Sequence, residues 1–74
     1  MGNKMAEQII NHIKKHRTNF GFTQEQLANI LGVSRQTIIS IEKGRYIPSL
    51  QLALKISEFF NCSTDEMFVR KEGM

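Results

Sequence analysis

Five side chains near the middle of this chain have the types and spacing to read the edges of base pairs. Arg35, Gln36, Ile39, Ser40 and Lys43 lie within the run SRQTIISIEK. At about 100° per residue, Gln36, Ile39, Ser40 and Lys43 fall on one side of a helix, and Ile38 and Ile41 fall on the other. Arg can bond guanine O6 and N7, Gln can bond adenine in a bidentate way, and Ile can cover a thymine methyl. These polar residues could equally be a solvated helix surface. Ile39 argues against that, because an apolar β-branched residue turned away from the core of a small domain needs a surface to meet.

Other chemistries find little support. No nucleophile elbow, phosphate loop or metal-ligand cluster is present, so an enzyme is not expected. His12 and His16 are spaced i, i+4, but no third ligand stands near them in sequence, so no metal and no cofactor are expected. The single cysteine, Cys62, excludes a disulfide within the chain and points to a reducing compartment. It is expected to pack in the core; a redox role is the minor alternative, since a position just before a helix would lower its pKa.

With 74 residues the chain is read as one domain, 1–74. A chain of this size buries only about 60–65% of its unfolded surface, so a partner subunit would help stabilise it. The formal net charge of +3 suits a phosphate-bearing partner. No apolar run approaches the ~18 residues needed to span a bilayer, and no signal peptide is visible. The start MGNKMA has the glycine of a myristoylation signal but Ala6 where Ser or Thr is needed. A cytoplasmic, nucleoid-associated protein is expected, with no membrane contact and no evident small-molecule ligand.

Five helical segments must position the reading side chains. The first lies within 6–19, where Ile9, Ile13, Arg17 and Phe20 recur at helical spacing. Asn11 is also a good N-cap, which would leave residues 8–10 free to form a short strand against the tail at 69–72. The second segment, 24–31, has the T-x-x-Q capping box Thr23/Gln26 and the staple Phe22/Leu27. The third, 35–43, is capped by Ser34, stapled by Val33 and Ile38, and stopped at Gly44. The fourth, 50–60, follows Pro48 and the cap Ser49, with Asn61 able to end it in a left-handed conformation. The fifth, 64–68, carries the capping box Ser63/Glu66 and the staple Cys62/Met67.

Segments two and three form a helix-turn-helix at 24–43. Ala28 is small where the helices cross. Gly32 is where the chain must turn through a left-handed conformation. Leu27, Leu31, Val33, Ile38 and Ile41 lock the pair together. Such a unit holds its second helix out toward the DNA major groove. Lys43, Arg45 and Tyr46 stand at and beyond the end of that helix, where they could grip phosphate.

The run TQEQLANILGVSRQTIISIEKG, followed by PSL and KIS, resembles the Cro/C1-type helix-turn-helix family over about residues 11–68. The match is nearer still to short stand-alone repressors such as the cytolysin-operon regulator. The resemblance implies an all-α five-helix bundle, with a pair of short terminal strands left open, and no cofactor. It also implies dimers on palindromic operators. Carried over by motif position, Gln24 would contact phosphate, Arg35, Gln36, Thr37 and Ser40 would lie at the groove, and Arg17 would pair with Glu42. We therefore expect base contacts from Arg35, Gln36, Ile39 and Ser40, and phosphate contacts from Gln24, Thr37, Lys43, Arg45 and Tyr46. His16 stands where the family usually has an apolar residue.

Segment four is apolar around most of its girth, leaving only Gln51, Lys55 and Glu58 as a polar stripe. Such a helix is buried on several sides. The surplus, with the apolar residues near the C-terminus, is read as a homodimer surface, with Phe59, Met67, Phe68 and Val69 as candidates. The expected function is a dimeric transcriptional repressor on double-stranded DNA. The alternative is an antitoxin-type interaction module that neutralises a partner protein.

Overall fold

Short-range capping sets where the helices begin. In the computed structural model, which describes residues 8–71, the elements are β1 (Ile9–Asn11), α1 (Ile13–Asn19), α2 (Gln24–Leu31), α3 (Arg35–Glu42), α4 (Leu50–Phe59), α5 (Thr64–Met67) and β2 (Phe68–Arg70). Thr23 Oγ1 accepts from the Gln26 amide at 3.0 Å, and the Gln26 side chain accepts from the Thr23 amide at 2.8 Å. Ser63 and Glu66 make the same reciprocal pair at 3.1 and 2.9 Å. Ser34 and Ser49 cap α3 and α4 by accepting from the Thr37 and Leu52 amides. Each capping interaction satisfies an amide that would otherwise have no partner in the helix.

The stops match as well. Gly32 leaves α2 at φ 76°, and Asn61 leaves α4 at φ 55°. A Cβ on Gly32 would meet nothing closer than Lys55 Nζ at 3.9 Å, so the demand for glycine there is conformational rather than steric. Lys55, from the polar stripe of α4, donates to the Leu31 carbonyl at 2.8 Å and so closes the end of α2. Segments three, four and five each stop one residue sooner than expected, with Lys43, Phe60 and Phe68 as C-terminal caps.

The first segment divides. Residues 9–11 are strand rather than helix, and β1 pairs antiparallel with β2 in the register Ile9↔Arg70, Ile10↔Val69, Asn11↔Phe68. The Lys71 amide donates to the Gln8 carbonyl and the His12 amide to the Met67 carbonyl, both at 2.9 Å, extending the pairing at each end. His12 takes the cap position of α1 without a side-chain bond; Asn11 Oδ1 instead accepts from the Ile13 amide at 3.3 Å. Among the described residues the fold is thus five helices closed by a two-stranded sheet.

Ile13, Leu27, Ala28, Leu31, Ile38, Ile41, Ile56, Phe60 and Met67 form the core, with Val33, Leu52, Phe59, Cys62 and Phe68 packed against it. Met67 is 0% exposed, which corrects its assignment to a dimer surface. It closes the single turn of α5, and its side chain is part of the core cluster. Phe59 is half-buried and also largely committed within the protomer, its ring lying 5.0 to 6.5 Å from those of Phe60, Phe22 and Phe20. His16 packs on Phe60 at 5.6 Å between ring centroids. Among the described residues no helix is long and apolar enough to cross a membrane.

Candidate nucleic-acid interface

Ile38 and Ile41, both buried, hold α3 against the core, so the reverse of that helix is what the protein presents outward. Arg35, Gln36 and Lys43 are exposed there. Thr37, Ile39 and Ser40 are half-buried, so Ile39 is less free than its helical position implied. The Ser34 and Thr37 hydroxyls share a hydrogen bond at 2.8 Å, which fixes the first turn of α3.

After α3 the chain turns at Gly44, with φ 75°. The Arg45 amide donates to the Ser40 carbonyl at 2.9 Å, folding the loop back along the helix. Pro48 is buried, while Arg45 and Tyr46 stay exposed. Ser34, Gln36, Thr37, Ser40, Arg45 and Tyr46 consequently line one open depression beside the helix. Ser34 was legible in the sequence only as a cap; its place in the depression comes from being one turn below Ser40's neighbour Thr37.

Behind this face lies a buried ion pair. Arg17 Nε donates to Glu42 Oε2 at 2.7 Å and Nη2 donates to Oε1 at 3.2 Å. The two side chains are only 10% and 4% exposed. Arg17 Nη1 also donates to the Phe22 carbonyl at 2.9 Å, so the fork reaches both α3 and the entry to α2. Gln24 Nε2 donates to Glu42 Oε1 at 3.1 Å. One of its two amide hydrogens is therefore committed, and the other is left for an outside acceptor.

Cys62 is half-buried and lies away from these residues, at the entry to α5. Burial, and secondarily the Glu66 carboxylate, push its thiol up rather than down. The direction is opposite to the lowered pKa expected from its position before a helix, and desolvation of the thiolate is the main cause.

Residues 13–67 match the helix-turn-helix family. Over 62 residues the chain is 52% identical to an uncharacterized HTH-type transcriptional regulator of Methanocaldococcus jannaschii, covering 84% of this chain and 94% of that protein. It is 47% identical, again over 62 residues with the same coverage, to the regulator YgzD of Bacillus subtilis. Among solved structures it is similar to the restriction-modification controller protein C.AhdI from Aeromonas hydrophila. That likeness has a TM-score of 0.65 and 27% identity, over 85% of this chain and 86% of that one. The SOS-response repressor LexA from Eubacterium rectale shares the fold at TM-score 0.74 and 22% identity, over 100% of this chain and 79% of that one. These relatives are regulators rather than enzymes, and the chain belongs to the Cro/C1-type helix-turn-helix family of DNA-binding transcriptional regulators.

Proposed function

We propose that the protein is a homodimeric repressor that lays α3 into successive major grooves of a palindromic operator. Arg35, Gln36, Ile39 and Ser40 read base edges. Gln24, Thr37, Lys43, Arg45 and Tyr46 hold the phosphates that flank them. The observation that carries this is the convergence of Gln36, Thr37, Ser40, Arg45 and Tyr46 on one depression open to solvent. Repression acts by occupancy of the promoter duplex, in the cytoplasmic nucleoid.

The occupant proposed for the apolar side of the molecule is a second copy of the chain. Ile9, Ile47, Pro48, Ala53 and Phe68 line a groove, and Leu50 stands on its rim at 72% exposure. Leu54, Ile10 and Val69 add exposed apolar surface. The loop after α3 separates this groove from the reading depression, since Arg45 and Tyr46 line one and Ile47 and Pro48 the other. A partner seated there lies beside the reading face and leaves both copies of α3 free. A standard interface of about 800 Å² per partner would cover about 15% of the 5192 Å² surface. Phe68 and Val69 are retained from the sequence candidates, and Leu50 and Leu54 take the places of Phe59 and Met67.

The test is selection of duplexes from a random pool. An inverted repeat with half-site centres ~34 Å apart is expected. Inserting five base pairs at its centre turns the half-sites to opposite faces and should abolish tight binding. Unchanged affinity for the expanded duplex would sink the dimer-on-palindrome reading.

A further inference from the structure

We propose that Asn11 is a positioning residue for operator reading, tying the last turn of α3 to the terminal sheet. The proposal rests on α3 being the reading helix. Asn11 is the final residue of β1, yet its Nδ2 donates across the protein to the Ile41 carbonyl at 2.7 Å. Its Oδ1 meanwhile accepts from the Ile13 amide at 3.3 Å. The two partners fix which way the amide points. Flipped, Nδ2 would face an N–H and Oδ1 would face a carbonyl.

The Ile41 carbonyl belongs to the last turn of α3, where carbonyls lack partners within the helix. It also accepts from the Gly44 amide at 2.9 Å, so both its lone pairs are used. The next residue, Glu42, is held by Arg17. Both ties come from the β1–α1 unit, one from just before α1 and the other from its second half. Arg17 and Gln24 both hold α3 at the Glu42 carboxylate, and the Asn11 bond adds a separate anchoring point on the backbone at Ile41, which opposes a pivot about Glu42. The apolar contacts of Ile38 and Ile41 set the depth of the helix but are non-directional.

The lever arm makes this matter at the far end. An eight-residue helix is about 12 Å long, so a pivot of about 5° at its C-terminus moves its N-terminal residues by about 1 Å. Arg35 and Gln36 stand at that N-terminus. A displacement of that size takes a base-edge hydrogen bond out of range. Non-specific phosphate contacts tolerate it, because charge attraction falls off slowly with distance. The tie therefore governs discrimination between sequences more than affinity for DNA as such.

The experiment compares wild type, Asn11→Ser and Asn11→Asp on two probes. One is the duplex selected by the wild-type protein from a random pool, and the other is a scrambled duplex of the same length and composition. Serine can cap α1 but is too short to reach Ile41, and aspartate keeps the acceptor for the Ile13 amide but loses the donor. Both variants should give the wild-type circular dichroism spectrum and wild-type affinity for the scrambled duplex. The ratio of selected to scrambled affinity should fall about three- to tenfold, the equivalent of one hydrogen bond. An unaltered ratio in both variants, or an equal loss on both duplexes, overturns the proposal and leaves Asn11 as a cap. A wild-type ratio of one strikes instead at the operator-reading function, and the proposal falls with it.

Discussion

Gln24 and Arg17 meet on one oxygen of Glu42. Gln24 Nε2 lies 3.1 Å and Arg17 Nη2 lies 3.2 Å from Glu42 Oε1. The carboxylate at the end of α3 is thereby paired with a cation and takes three hydrogen bonds within the protein. Without Arg17 it would be a buried negative charge behind the face proposed to meet DNA.

Arg17→Met should therefore destabilise the protein by about 3–5 kcal/mol, the range for removing one partner of a buried pair. Adding Glu42→Gln should return part of that loss, because the unpaired charge goes with it. Urea denaturation measures both. Additive losses would mean that the pair is not coupled in the folded protein.

Gln36 and Lys43 should fail in different ways. Gln36→Ala should cost about 1–3 kcal/mol on the selected operator and relax preference at one base position. Lys43→Ala should weaken all sequences alike and reduce the salt slope by about one. Fluorescence titrations over a salt series distinguish them. Equal, sequence-independent effects from both changes would show that the reading face is misassigned.

The double variant Leu50→Glu, Val69→Lys should be a folded monomer with operator affinity lost. Both side chains are exposed in the protomer, so their replacement leaves the core intact. Sedimentation at micromolar concentration, with circular dichroism as the control for folding, reads the outcome. A folded dimer would place the interface elsewhere.

Cys62 should alkylate with iodoacetamide more slowly than free cysteine at pH 8, since burial and Glu66 raise its pKa and the thiolate is the nucleophile. The stability linked to this thiol is fully present below its unfolded value and is lost as pH rises through the higher folded value. Reaction faster than free cysteine would contradict the direction of the shift.

The starts of α2 to α5 and the outward side of α3 were decided by the sequence alone. Each cap at Thr23, Ser34, Ser49 and Ser63 is an exchange between a side chain and an amide three residues on, and needs nothing distant. The division of α3 into a core side and an outward side follows from helical periodicity in the same local way. Only the tertiary structure decided the rest. Residues 9–11 continue the apolar spacing of a helix, and what makes them strand is the arrival of residues 68–70, at the other end of the chain. Met67 reads as dimer surface from the sequence, because an apolar residue near a terminus is buried by whatever packs over it; in the structure the protomer itself covers it. Asn11 looked like a cap and nothing more, since its second partner, the Ile41 carbonyl, lies thirty positions away. Gln24 and Ile39 show the same limit. Residue type and period say which side of a helix a group occupies, whereas the neighbours that cover or engage it come from other elements, and those are brought together only by packing.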